Sequence, residues 1–592
     1  MRVRLFTQLR LNPQQRSACC APGNVAVRAC PGSGKTRLIA ARLANEMLRW
    51  RPGSGGIATM TYTNVAADEI REALRDEMGL EVGYPHFLGT IDSFFDKHVF
   101  LPHAHRLIGR GKKGKIRLLV GEPAWARGAY PVLLGGRHEF NAVNALRLPD
   151  GTCVLKSRIP GRQDQCAKCR TRADKSPRPD RDYNCGKLKM AYDGFATHDD
   201  AMFWSLEILR RFNDVLVRLA RRFSVLLVDE LQDTKPTQME ALKLIRDTGH
   251  CRFFVAFDPD QAIYEYAQAR PEACSCFAQG IFNQRPVSCT FRSTQEICNA
   301  VHPFSTLRLP ANSKAQHRAQ TDSCFVLKYQ DVGSALRQFT DLVGKRDLNP
   351  LKSAILVRNN DNVDEVKKAS RPEKLRNAGA LARSLLTLYP LLARGDRRQA
   401  HERMIDALVS CEIAAHPSAS DRTTRRLQER DLDGRCGQVL GQLLPLADSC
   451  YSDWTKRIRA LLAETFCVAD ISSQILRRPE SAKQNPTIRE LLPELQATPV
   501  HTDVPVSTVH GVKGKNLEGV MLLTMMKKRY SSEWLDAPKE ATGFWPEERR
   551  VAYVAMTRAE KLLVVAIPAG APKAVFEHPD LAGFAPLDAK PT

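Results

Sequence analysis

NVAVRACPGSGKTRLIAARLANEML, residues 24–48, begins as an apolar run, passes through a Gly-rich turn and ends in a helical pattern. A buried strand that hands the chain to such a turn and then to a helix N-terminus brings backbone N–H groups together around phosphate. Gly32 and Gly34 permit the close approach, with Ser33 and Arg37 completing the motif. Lys35 is placed to reach the β and γ phosphates of ATP and Thr36 to ligate Mg²⁺. Ala29 stands where the general pattern has its first Gly.

Hydrolysis needs an acid as well, and FSVLLVDE (223–230) supplies a pair of them. This apolar strand carries Asp229 and Glu230 to its carboxyl end, the edge at which open α/β sheets bind ligands. Asp229 is expected to hold Mg²⁺, and Glu230 to orient and deprotonate the attacking water. Two acids that merely cap a strand would be the bland alternative, but a buried run ending in adjacent carboxylates calls for a cation nearby.

Further apolar runs at 56–62 and 251–258 join the first group, and a later group occurs at 353–359, 505–510, 519–525 and 561–567. Two sets of strands separated by helical patterns predict two parallel α/β sheets, each interrupted by an insertion. Residues 100–200 are rich in Gly, Pro, Lys and Arg with weak periodicity, whereas 376–495 read as helical. The chain has 88 Lys and Arg against 65 Asp and Glu, a net charge of +23, which suits a polyanionic partner. Its 592 residues hold no apolar run of membrane-spanning length and no evident secretory signal, so the expectation is a cytoplasmic protein without membrane contact.

VDELQDTKPTQ (228–238) is more specific than a generic acidic strand end, and it resembles motif II of the UvrD/Rep branch of superfamily 1 helicases. Other segments resemble the remaining family motifs in the family order. LNPQQ (11–15) is similar to the Q motif, which implies Gln15 as adenine reader. TYTNVAADEI (61–70) resembles motif Ia, placing Thr63 and Asn64 against single-stranded DNA, and GTIDSFF (89–95) resembles motif Ic with Asp92 in place of the usual His. VAFDPDQAIYEY (255–266) resembles motif III, with Gln261 sensing the γ-phosphate and Tyr264 and Tyr266 in the stacking region. TFRST (290–294) and EERRVAYVAMTRAEK (547–561) resemble motifs IV and VI, giving Arg292 and Arg558 as arginine fingers. VSTVHGVKGKNLEGV (506–520) resembles motif V and contributes His510 and Lys513 to DNA. There Asn516 aligns with the family Glu, and Glu518 is the alternative nucleotide contact.

The resemblance implies two RecA-like P-loop domains, each with an inserted subdomain, the first basic and Cys-containing and the second helical. The implied division is 1–99 and 201–285 for the first domain, 100–200 for its insertion, 286–375 and 496–570 for the second domain, 376–495 for its helical insertion, and 571–592 as a flexible tail. It also implies ATP-driven 3′ to 5′ movement on single-stranded DNA and at single-strand/duplex junctions, with a nuclease or repair protein as a candidate partner. The alternative is a DNA-stimulated ATPase subunit of a nuclease-partnered, Gabija-like antiphage complex without processive unwinding. Between motifs V and VI, Trp534, Phe544 and Trp545 are candidates for a strand-separating wedge or for plain packing.

Cys153, Cys166, Cys169 and Cys185 follow a C-x12-C-x2-C-x15-C spacing within the first insertion. Thiolates at this spacing suit Zn²⁺, with an Fe–S cluster second. From Lys156 to Lys189 there are eleven Lys and Arg against four Asp and Glu, suited to phosphate contacts that position a duplex without reading its sequence. His198 is a further candidate ligand, although a lone His is more often structural.

Overall fold

The computed structural model describes residues 11–108, 117–119, 131–134, 138–141, 143, 145–151, 153–155, 186–264, 270–369, 379–393, 397–411, 413–414, 422–468, 471–472, 475–478, 484–491, 504–525, 533–539, 541–542 and 544–587. They divide into two compact units, one of residues 1–328, 352–358 and 507–592, the other of residues 329–351 and 359–506.

The first unit is built around two parallel sheets. β1 (Val25–Ala29) leads through the Gly-rich turn into α1 (Lys35–Met47), and β2 (Gly56–Thr61), β3 (Phe87–Thr90), β4 (Phe223–Val228), β5 (Arg252–Phe257) and β6 (Asn283–Val287) complete the sheet. The strand order is β6-β1-β5-β4-β2-β3, and every neighbouring pair is parallel. β1, β4 and β5 lie side by side in the middle, and their nearly continuous apolar sequences reflect burial on both faces. The loops at their carboxyl ends therefore converge, which brings 30–34, 229–233 and 258–261 to one edge.

The second sheet is made of β7 (Cys324–Tyr329), β8 (Ala354–Val357), β9 (Val506–Thr508), β10 (Leu517–Leu523), β11 (Ala559–Pro568) and β12 (Ala585–Leu587), in the order β9-β8-β10-β11-β7-β12. β12 corrects the expectation of a loose tail. Residues 585–587 pair with Phe325, Val326 and Leu327, and Leu581 and Phe584 are buried in the same core.

Part of the first insertion is visible as short β pairs. Pro131–Leu134 runs antiparallel to His138–Asn141, and Ala145–Arg147 to Cys153–Leu155. The helix His198–Arg211 closes the segment, capped by Thr197 in a box with Asp200. Asp200 also takes the fully buried Lys187 as an ion-pair partner at 2.9 Å, so neither charge is stranded. His198 is structural: its Nδ1 lies 3.0 Å from Asp96, whose carboxylate holds the imidazole above its usual value by a hydrogen bond.

The second unit is helical, as the sequence of 376–495 predicts. Ala380–Leu386, Tyr389–Ala393, Arg397–Ser410, Arg422–Leu443 and Tyr451–Phe466 pack around one apolar cluster. Trp454 lies at its centre, fully buried, and donates its indole N–H to the Tyr389 hydroxyl at 2.8 Å. No helix among the described residues is long and apolar enough to cross a membrane.

Trp454→Ala would open a cavity and leave the Tyr389 hydroxyl without its donor. The expected cost is about 3–5 kcal/mol in this unit, seen as an earlier transition in urea followed by circular dichroism.

Candidate active site

Gly34 (φ 76°) and Gly32 (φ 69°) hold the left-handed backbone that turns the chain from β1 into α1. At Gly32 a side chain is excluded by space as well: a Cβ would lie 2.5 Å from Thr290 Oγ1 and 2.7 Å from Arg292 Cβ. Ser33 is buried, and its hydroxyl has no hydrogen-bond partner among the described residues. Such an orphaned group inside a cradle of N–H donors fits a bound anion.

Opposite the turn, Lys35 Nζ stands 3.8 Å from Glu230 Oε1, and Thr36 Oγ1 stands 3.4 Å from Asp229 Oδ2. Asp229 is buried, and burial followed by repulsion from Glu230 pushes its carboxyl up to about 7. A hydroxyl beside a buried carboxylate that resists ionising is a donor set short of a cation, and the pair fits Mg²⁺. Burial also raises Glu230, but Lys35, Lys513, a hydrogen bond from Gln232 and Arg558 together outweigh it and hold it below the usual range. The two adjacent carboxyls are thus pushed in opposite directions by their surroundings. Its backbone sits at φ 50°, a conformation that costs a non-glycine residue energy and that places its carboxylate beside Lys35.

Behind these groups runs a chain of buried polar contacts. Gln232 donates to Glu230 and accepts the Asp258 N–H at 3.0 Å, and Gln261 donates to Asp258 at 2.6 Å. Arg558 then donates to Gln261 Oε1 at 2.9 Å, linking the end of β5 to the start of β11. Lys513, expected at DNA, turns inward instead. Its side chain is 10% exposed, and its ammonium is bonded to Asp233 at 2.6 and 2.8 Å and to the Gln261 carbonyl at 2.9 Å. Burial pushes both Asp233 and Asp258 up to about 6, so these contacts only partly offset desolvation.

Arg292 donates through Nε to Asn516 at 2.6 Å and through Nη1 to the Thr557 carbonyl at 2.9 Å. Burial, and then the nearby Arg558, hold its guanidinium well below its usual value. Two cations held close with neutral acceptors around one of them are arranged for an incoming polyanion. Arg292, though not Arg558, lines a cleft of about 550 Å³ together with Gln15, Gly32, Gly34, Thr36, Arg37, Phe291 and Asn516, and with Glu69, Ala73 and Glu77. Gln15 is fixed by donating to the Ser33 carbonyl at 2.7 Å, and Arg37 by pairing with Glu77 at 2.7 Å.

Glu518 does not line this cleft. It pairs with Lys561 at 3.5 Å, and Asn516 occupies the wall instead. Phe291 escapes the sequence reading, although an aromatic directly before Arg292 was the available signal. It is 44% exposed, high for so large an apolar side chain, and lies on the cleft wall.

Of the residues expected at DNA, Thr63 caps the helix Asn64–Met78, with Asn64 exposed next to it. Tyr264 lies between Tyr62 (ring centres 5.0 Å) and His510 (5.7 Å), with the Lys513 ammonium 4.7 Å from its ring centre. Burial drives His510 down to about 4, and its Nε2 donates to the Ile263 carbonyl at 2.9 Å. Tyr266 lies outside the described residues, as do Cys166, Cys169 and Cys185. Cys153 is described by its backbone alone, and among the described residues no group of three or more His, Cys, Asp or Glu could hold a metal ion. The Zn²⁺ reading therefore rests on spacing only.

A phosphate cradle, an acidic strand end and arginines reaching it from beside a second parallel sheet define a P-loop protein with two RecA-like sheets. Residues 11–108 and 167–280 match the UvrD/REP helicase N-terminal domain, and 483–569 match the UvrD-like helicase C-terminal domain. The chain belongs to the UvrD/Rep-type helicase family. It is 23% identical to DNA helicase II of Haemophilus influenzae over 94% of this chain and 83% of that protein. To ATP-dependent DNA helicase UvrD2 of Mycobacterium bovis it is 23% identical, over 93% of this chain and 77% of the relative. ATP-dependent DNA helicase Rep of Escherichia coli shares 28% identity over 45% of this chain and 38% of its own length.

If Asp229 holds Mg²⁺ as the sequence leads one to expect, a proton on it competes with the cation, and the affinity of the ATP-loaded site for Mg²⁺ should rise by up to about tenfold per pH unit below 7 and level off above it. Titration of Mg²⁺ at pH 6, 7 and 8 measures this slope, and Asp229→Asn should abolish it.

Proposed function

We propose that the protein hydrolyses ATP to drive itself 3′ to 5′ along single-stranded DNA. The observation that supports the ATP-driven part of this reading is the Arg558–Gln261–Asp258 chain, which ties a cation near the second sheet to the acidic edge of the first; the direction follows from the family likeness. On this reading the triphosphate lies in the 550 Å³ cleft, with its phosphates in the cradle of 30–34 and its base between Gln15 and Phe291. Lys35 binds the β and γ phosphates, while Thr36 and Asp229 hold the Mg²⁺ that draws charge from them. Glu230, ionised and steered by Gln232, takes the proton of the attacking water. Arg292 and Arg558 stabilise the charge that spreads over the γ-phosphoryl oxygens. Gln261 reports the loss of that phosphate to the loop carrying Tyr264.

DNA contacts fall to Thr63, Asn64, Tyr264 and the neighbouring Tyr62 and His510, which make a stacking surface rather than a cationic one. Lys513 serves it indirectly, by holding Asp233 and the Gln261 carbonyl in place. Asn516 takes the nucleotide wall position in place of Glu518.

Movement along a strand is better supported than strong strand separation. Trp534 stacks on Phe304 with ring centres 5.9 Å apart and is buried, and Trp545 packs against the same core. Neither is an exposed wedge.

Lys35→Ala should lower the ATPase rate by about a hundredfold or more, since it removes the cation in the cradle. In a matched assay the unaltered protein should hydrolyse ATP faster with single-stranded DNA, and should displace streptavidin from the 3′ and 5′ ends of biotinylated strands at different rates. Release at the 5′ end alone marks 3′ to 5′ travel. Equal release at both ends, or none, would overturn the direction or the motor.

A further inference from the structure

The segment that leaves the first sheet after β6 and carries Phe291 and Arg292 runs directly along the phosphate cradle. Cys30 donates its N–H to the Val287 carbonyl at 3.0 Å, and Phe291 donates its own to the Gly32 carbonyl at 2.9 Å. Between these two points lies Ser288. Its carbonyl accepts the Asn312 N–H at 2.8 Å, so it also begins the short parallel pairing of Cys289–Thr290 with Asn312–Ser313. Ser288 is thus the point where the chain passes from one layer of pairing to the next.

One side chain grips that point at two atoms. Gln14 accepts the Ser288 N–H through Oε1 at 3.0 Å and donates through Nε2 to the Ser288 hydroxyl at 3.0 Å. Gln14 stands beside Gln15 on the helix Pro13–Cys20, which Pro13 and the Asn12–Gln15 capping box hold in register. Gln15 donates in turn to the Ser33 carbonyl at 2.7 Å. Adjacent residues of one short helix therefore reach opposite flanks of the cradle, one to its floor and one to the strand that delivers Arg292. A primary amide satisfies both groups of Ser288 at once, with its oxygen accepting and its nitrogen donating, which an aliphatic side chain could not do.

We propose that Gln14 is a positioning residue that couples the base side of the nucleotide cleft to Arg292. A base held against Gln15 fixes the helix, Gln14 fixes Ser288, and the three residues between Ser288 and Arg292 are too few to absorb a shift. The inference rests on the reading of Arg292 as a group that acts on the γ-phosphate.

The test uses the full chain with single-stranded DNA and compares Gln14→Ala, Ser288→Ala, the double variant and Gln14→Glu, with ATP affinity measured separately by calorimetry without Mg²⁺. Gln14→Ala should lower kcat about five- to tenfold while the dissociation constant for ATP moves less than about twofold. Because both atoms of the grip act as one unit, the double variant should lose no more than Gln14→Ala alone. Gln14→Glu should recover most of the loss, since it keeps the acceptor for the Ser288 N–H and the hydroxyl can turn to donate. A kcat unchanged in Gln14→Ala, losses that add in the double variant, or kcat and affinity falling together would each overturn the coupling. Arg292→Ala run alongside separates the two readings. If it hydrolyses ATP normally, the role of Arg292 fails and the coupling with it; if it is impaired while Gln14→Ala is not, the coupling alone fails.

Discussion

Asp229, Asp233, Asp258 and Asp260 are all buried at the carboxyl edge of the first sheet, with Glu230 among them. Carboxylates gathered this closely repel one another, and burial raises the cost of every charge. Few of the compensating groups lie in the same segment. Lys35 comes from the helix after β1, Lys513 from the loop before β10 and Arg558 from the turn before β11. The edge can therefore be complete only when both sheets contribute to it, and the organisation of this unit follows from that requirement.

The compensation is also partial. Asp229, Asp233 and Asp258 remain pushed up towards neutrality by burial, whereas Glu230 is held ionised by four neighbours. Acids in one cluster are thereby separated into three whose carboxyls burial pushes up, Asp233 even with the Lys513 ammonium against it, and one pulled down by its neighbours. Arg292 donates to the neutral Asn516 and the Thr557 carbonyl, and burial and the like charge of Arg558 outweigh the nearby Glu560 and Glu230 in holding it below its usual value. On the proposed reading, a magnesium triphosphate would set a cation beside Asp229 and an anion beside Arg292, so its binding would favour the arrangement that holds both.

Much of this was legible beforehand because the chemistry is local. A phosphate cradle needs a strand, two glycines and a lysine within a dozen residues, and an acidic strand end needs only its own apolar run. Lys513 and Glu518 were misplaced for the opposite reason: a lysine or glutamate in a loop gives no sign of which way it turns. Lys513 is drawn inward by Asp233, 280 residues away, and Glu518 is taken up by Lys561. The last strand, Ala585–Leu587, went unread because three residues carry too little periodicity to separate from a tail.

The sequence by itself determined the fold class, the order of the family motifs and the identity of the cradle, since each rests on short-range pattern and on fixed covalent spacing. Tertiary structure alone decided which wall Asn516 and Phe291 occupy, that the tryptophans between motifs V and VI belong to or against the core, and that Gln14 grips Ser288. Those contacts join residues dozens to hundreds of positions apart. They depend on how parallel strands are ordered in a sheet, because that order sets which loops meet at its edge.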